Sequence, residues 1–203
     1  MSNRILILTA KVFSQIFSPF YLPVVAFVAL LTFSYLNLLP MGYKLVLLLM
    51  VYAFTVALPK CSIFVYRKVN GWTHHELGRR ERRVVPYVLS IISYAALLRL
   101  MQHLHMPAYG MSIIWGALLL QIACALINPF LKISTHAAAM GGIIGALVAF
   151  SQHYAFDPRG WLGLCILLSG CVCSSRLVLR QHTLRDVGWG TLVGLVCGFF
   201  SVL

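Results

Sequence analysis

"KLVLLLMVYAFTVALPKCSIFVY", residues 44–66, carries only two charges, Lys44 at its start and Lys60 near its end. As a helix rising 1.5 Å per residue, such a run reaches across roughly 30 Å of hydrocarbon. Comparable stretches recur at about 20–37, 84–105, 109–131, 134–153, 160–178 and 187–203. The expectation is an all-α integral membrane bundle of six or seven transmembrane helices. Composition agrees: 61% of the 203 residues are hydrophobic and 10% are charged, with a mean hydropathy of +0.89. A soluble domain does not have these values.

The chain reads as one membrane-embedded domain over 1–203. Residues 1–18 set Arg4 and Lys11 among Ile, Leu, Val and Phe. They read either as an interfacial amphipathic N-terminal helix or as part of an extended first span, and not as a cleaved signal. The longest polar stretch, 67–83, is too short for a soluble domain, so any chemistry belongs to the bundle and its loops. Sixteen Lys and Arg stand against Glu76, Glu81, Asp157 and Asp186, a net charge of +12. That balance favours anionic partners, which in a membrane are lipid headgroups and lipid phosphates. The basic residues flank spans and no nucleic-acid-binding module is present, which argues against nucleic acid. The six cysteines lie in apolar segments without a CxxC spacing and read as helix-packing residues.

The unusual polar residues gather at three junctions, following the second, fourth and sixth spans. A chain that crosses fully each time places all three on one face. In the third junction, "SSRLVLRQHTLRD" (174–186), His182 and Asp186 are four apart and share a helix face. The carboxylate can then accept from one ring nitrogen and leave the other to act as base or nucleophile. Arg176, six residues earlier, brings a forked cation to the same anion. Gly190, Gly194 and Gly198 continue the step of four as a groove for close helix approach. In the second junction, "NPFLKISTHAAAMGG" (128–142), Ser134 or Thr135 caps a helix whose N-terminus attracts a phosphate, with His136 in its first turn and Lys132 just outside. Ala137, Gly141 and Gly145 mark the packed face below. The first junction, "LGRRERRVVPY" (77–87), offers Arg79, Arg82 and Arg83 on one helical face and Pro86 in the first turn of the next span.

Each feature has a plainer reading. Arginines flanking spans are commonly anchors or topology signals, and Ser-Thr at a helix start is commonly only a cap. His182 with Asp186 is different, because an ionisable pair at a membrane helix end is costly to keep without a use. His74, His75 and Glu76, and His103 with His105, lie at span boundaries and read as interfacial packing. Four widely spread acids do not make the carboxylate cluster that binds magnesium, so a mechanism without metal or cofactor is the natural one.

These residues resemble the type 2 phosphatidic acid phosphatase (PAP2) superfamily of lipid phosphatases. Its third motif, Ser-Arg, five residues, His, three residues, Asp, is matched by Ser175, Arg176, His182 and Asp186. Its second, Pro-Ser-Gly-His, is similar to Ile133-Ser134-Thr135-His136, which keeps Ser and His. Its first, Lys, six residues, Arg-Pro, is absent as such; Arg79 and Arg83 precede Pro86 instead. The resemblance covers about 79–186. It implies that His182 attacks phosphorus to form a phosphohistidine while Asp186 orients its ring. It also implies that His136 protonates the departing oxygen and then activates water. Arg176, Ser134, the backbone at Thr135 and the arginines of 79–83 would bind the phosphoryl oxygens.

The expected activity is hydrolysis of a lipid phosphate monoester or diphosphate. A lipid-to-lipid phosphotransferase would use the same residues. A pseudoenzyme that binds lipid phosphates would show the same departures from the first two motifs. A helix-bundle carrier or haem protein would instead need histidines paired deep in the bilayer. The compact chain suggests a bacterial inner membrane. Positive loops place the site face in the cytoplasm, whereas lipid-acting members of the family usually face away from it.

Overall fold

Each of the seven apolar stretches is helical in the computed structural model, which describes residues 2–71, 84–153 and 157–202. The helices are α1 (Ser2–Ile16), α2 (Leu22–Phe33), α3 (Met41–Tyr52), α4 (Leu58–Val69) and α5 (Val84–His103). They continue with α6 (Ala108–Ile127), α7 (Thr135–His153), α8 (Arg159–Val178) and α9 (Leu184–Phe200), with no strand among the described residues.

Helices α3 and α4 are one 29-residue rod, Met41–Val69, joined by a π turn over Ala53–Ala57. Pro59 supplies the reason. It has no N–H for the Thr55 carbonyl and its ring crowds that turn, so the helix widens there. The Leu58 N–H reaches back to the Ala53 carbonyl, and the Phe54 carbonyl accepts from the Ser93 hydroxyl of α5 instead.

Four helices have the length and hydropathy to cross a membrane: the α3–α4 rod, α5, α6 and α8. At 12 residues, α2 is about 18 Å long, short of the hydrocarbon thickness. The other two expected spans, α7 and α9, are not among the four: α9 is 17 residues long, α7 carries His136, Gln152 and His153 within its 19 residues, and both have glycines at a spacing of four. Those small residues face each other in the interior instead of lipid. Outward-facing Leu38, Leu126 and Leu167 give the bundle the apolar exterior of a membrane protein.

One core cluster joins α2, α3, α5 and α6 through Phe27, Leu31, Val51, Leu97, Met101 and Ile114. A second joins α2, α7 and α8 through Leu22, Met140 and Val172. Polar residues inside the helices satisfy themselves locally: the hydroxyls of Thr55, Ser90 and Ser175 donate to carbonyls four residues back.

The pairing of α7 with α9 positions everything that follows. Gly190, Gly194 and Gly198 lie against the carbonyls of Ser134, Ala138 and Gly142, while Gly141 and Gly145 lie against those of Thr191 and Leu195. Each contact is so close that a Cβ on the glycine would collide with backbone. Residue numbers rise together along both helices, so α7 and α9 are parallel and both N-termini lie at the same end. The intervening α8 runs back between those ends. Close Cα–H···O contacts of this kind contribute about 0.5–1 kcal/mol each, and small residues at a spacing of four are what permit them.

Candidate active site

At the end where α7 and α9 begin, two loops meet. The Ser134 N–H donates to the Asp186 carbonyl at 3.0 Å, which ties the entry of α7 to the first turn of α9. Ser134 is fully buried, and its hydroxyl oxygen accepts from the Ala137 N–H at 3.4 Å, the geometry of an N-cap. The O–H of that hydroxyl can still donate to a ligand oxygen. Thr135 and His136 follow as the first residues of α7.

Thr183 caps α9. Its hydroxyl oxygen accepts from the Asp186 N–H at 3.3 Å, and the Asp186 carboxylate accepts from the Thr183 N–H at 3.0 Å, a reciprocal capping box. The same carboxylate oxygen lies 3.5 Å from His182 Nδ1, an ion-pair separation longer than a well-formed hydrogen bond. The expected histidine–carboxylate pair is thus present. Its carboxylate is locked by the cap before it meets the ring, a role that the spacing Thr183-x-x-Asp186 encodes. Partial burial pushes the Asp186 carboxyl up. The Thr183 N–H and side chain, with the charges of His182 and Lys132, outweigh that and hold it below its usual 3.8. Lys132 is exposed, close enough to act on Asp186 through its charge.

Loop 179–183 gets its shape from the end of α8. Arg180 adopts a left-handed conformation (φ 51°), with its N–H bonded to the Leu177 carbonyl and the Gln181 N–H bonded to the Arg176 carbonyl. This is a Schellman stop built without glycine. It turns the chain so that His182 is carried inward, and only 2% of its side chain is exposed.

The remaining two groups meet on a partner that sequence reasoning did not choose. Arg176 Nη1 donates to the Ser14 hydroxyl at 2.6 Å, and His136 Nε2 lies 3.1 Å from the Ser14 carbonyl. That contact places the Nε2 proton on His136. Ser14 is buried on α1, which packs along α8. The signal was the polar row Lys11, Ser14 and Ser18 at helical spacing within an otherwise apolar segment. The interfacial reading of 1–18 fits a helix with one polar edge, and that edge faces the site.

A cavity of about 700 Å³ opens beside Ser14, lined by Lys11, Tyr21, Lys60, His136 and Arg176 among others. His182 does not line it. No carboxylate among the described residues lines it either. Lys60 reaches the cavity from α4, donating to the Tyr21 hydroxyl at 2.6 Å with its ammonium 4.0 Å from that ring's centre.

The structure therefore links Ser134, His182 and Asp186 in one contact set and His136 and Arg176 in another. Both lie at the shared end of α7 and α9. Arg79, Arg82 and Arg83, with His74, His75 and Glu76, lie outside the described residues. His136 and His182 stand at helix starts, not in the mid-span pairing that a haem carrier requires. Two parallel helix N-termini, a guanidinium and an oriented imidazole suit an anion that takes on charge during reaction.

No curated protein and no solved structure matches the chain. The family model for the PAP2 superfamily matches residues 126–203, from the end of α6 through α9, and so includes Ser134, His136, Arg176, His182 and Asp186. Over this stretch the chain is similar to the PAP2 superfamily, a likeness that supports phosphatase-type chemistry.

Proposed function

We infer that the protein hydrolyses a lipid phosphate at this site through a phosphohistidine. The observation that carries the reading is the Asp186 carboxylate, fixed by its own helix cap and set against His182 Nδ1. With Nδ1 turned to the carboxylate, Nε2 keeps the lone pair that attacks phosphorus. As the N–P bond forms, the P–O bond to the lipid breaks and the leaving oxygen takes a proton from His136. In the second half, His136 accepts a proton from water as the water oxygen attacks phosphorus. The N–P bond then breaks, releasing inorganic phosphate and restoring both imidazoles.

Arg176, the Ser134 hydroxyl and the N–H groups at the starts of α7 and α9 would hold the equatorial oxygens as negative charge spreads over them. Lys132 adds positive charge near Asp186. This cationic set supplies what a metal would otherwise provide, so the reaction is read as metal-independent. The His182 ring is enclosed, with 2% of its side chain exposed. The site sits at a helix-bundle end, where the headgroup of a membrane lipid resides.

The test is phosphate release from a panel of lipid phosphates in detergent micelles with chelator present. The parent protein should turn over. His182→Ala should lose activity by orders of magnitude, and Asp186→Asn should lose less, because the amide still caps α9. Equal rates for the parent and His182→Ala would overturn the mechanism.

A further inference from the structure

Helix α1 brings little of itself into the core. Among its described side chains only Ala10 and Ser14 are buried, one turn apart, while Ile5, Leu8, Val12 and Phe13 face outward. The hydroxyl of Thr9, earlier on the same helix, turns back on the Ile5 and Leu6 carbonyls, the ordinary arrangement in an apolar helix. The Ser14 hydroxyl instead accepts from Arg176 Nη1 at 2.6 Å.

The way α1 ends releases the Ser14 carbonyl for a second partner. Another residue of helix would give that oxygen to the Ser18 N–H, which bonds to the Gln15 carbonyl instead. The His136 Nε2–H donates to it at 3.1 Å. Phe17, stacked on Phe13, packs against Leu22, Met140 and Val172, and so seats this end of α1 against α7 and α8. Ser14 thus holds two groups from different helices, the guanidinium in the last turn of α8 and the imidazole in the first turn of α7. It lies outside residues 126–203, so the family likeness assigns it nothing.

We propose that Ser14 is a positioning residue of the active site. Its hydroxyl sets the plane of the Arg176 fork, its carbonyl sets the orientation and tautomer of the His136 ring, and α1 thereby fixes the acid relative to the phosphoryl clamp. This rests on the hydrolase reading above. A planar guanidinium recognises phosphoryl oxygens only in a defined orientation, so a bond that holds its plane acts on binding geometry and not on charge. Such preorganisation matters most as charge builds on the phosphoryl oxygens, and its loss falls on kcat more than on KM.

The experiment is a double-mutant cycle on phosphate release from an alkyl phosphate in detergent micelles, using the parent, Ser14→Ala, Arg176→Ala and the double variant. Ser14→Ala should lower kcat/KM by about tenfold, carried mainly by kcat. In the Arg176→Ala background the same change should cost nothing further, because the group it acts through is gone. Thr9→Ala, on the same helix but bonded to its own backbone, should keep parental rates. Parental kinetics in Ser14→Ala, or an equal loss in both backgrounds, would overturn the proposal. A faster Ser14→Ala would overturn it too, since Ser14 would then block the place of the anion. A second readout is independent of turnover: orthovanadate, a phosphoryl mimic, should raise the Tm of the parent and raise that of Ser14→Ala less. Where Arg176→Ala has no measurable rate, these shifts decide. If the parent releases no phosphate, the hydrolase reading fails while the vanadate shifts still decide the role of Ser14. Equal shifts in the parent and Ser14→Ala, or no shift in the parent, would end that role.

Discussion

Replacing Gly190 by alanine should separate the two halves of the site without touching a charged residue. A Cβ at Gly190 would lie 2.6 Å from the Ser134 carbonyl oxygen and 3.3 Å from its nitrogen. An acceptable contact begins at 3.0–3.4 Å, so α9 and the start of α7 must part by 0.4–0.8 Å. Both partners are backbone, and no flexible side chain can move aside. The Ser134 N–H to Asp186 carbonyl bond, now 3.0 Å, would stretch to about 3.4–3.8 Å, at or past the limit of hydrogen bonding. Losing it costs about 1–3 kcal/mol, since the Ser134 N–H is left buried. A displacement near 1 Å in a catalytic constellation reduces turnover by up to about 100-fold. Gly188, two residues earlier on the same helix, has nothing within 4 Å, and Gly188→Ala should be neutral or stabilising by up to about 1 kcal/mol. The assay pairs phosphate release with thermal unfolding in detergent. Parental activity and Tm in Gly190→Ala would refute the proposed coupling of the two helix starts.

The other predictions concern α1, the capping carboxylate and the end of α8. Ser14→Ala removes an acceptor from Arg176 and should lower kcat/KM by about tenfold through loss of guanidinium positioning; unchanged kinetics would detach α1 from the site. Because the Asp186 carboxyl is held below 3.8, its contribution is present above that pH and is lost as pH falls through the lowered value. Stability of the parent should therefore decline below about pH 4, and Asp186→Asn should flatten that decline in thermal melts taken across the range. Arg180→Gly relieves a left-handed arginine and should stabilise the protein by about 0.5–1 kcal/mol, read as a higher Tm.

The long apolar runs announced every span-like helix, and the step of four from Asp186 through Gly190, Gly194 and Gly198 announced the face on which α9 packs. Junction parity also placed the loops before α7 and α9 at one end, as found. What stayed hidden depends on contacts made between distant segments. The polar row Lys11, Ser14 and Ser18 marks an edge of α1 but not its partners: that Ser14 meets Arg176 and His136 depends on pairings spanning more than 120 residues. Lys60 stands near the end of an apolar run, and the packing of α4 near Tyr21 turns it toward the cavity. At the ends of α5 and α8, His105 and Arg180 take the left-handed position that glycine commonly fills.

A seam made of main-chain atoms has no substitutes to offer. Where two helices meet through leucines, a loss on one side can be refilled from the other; between α7 and α9 any added atom forces the rods apart. Variation around the site must therefore arise in the surrounding helices, while the distance between the loops before α7 and α9 stays set by the width of a bare polypeptide.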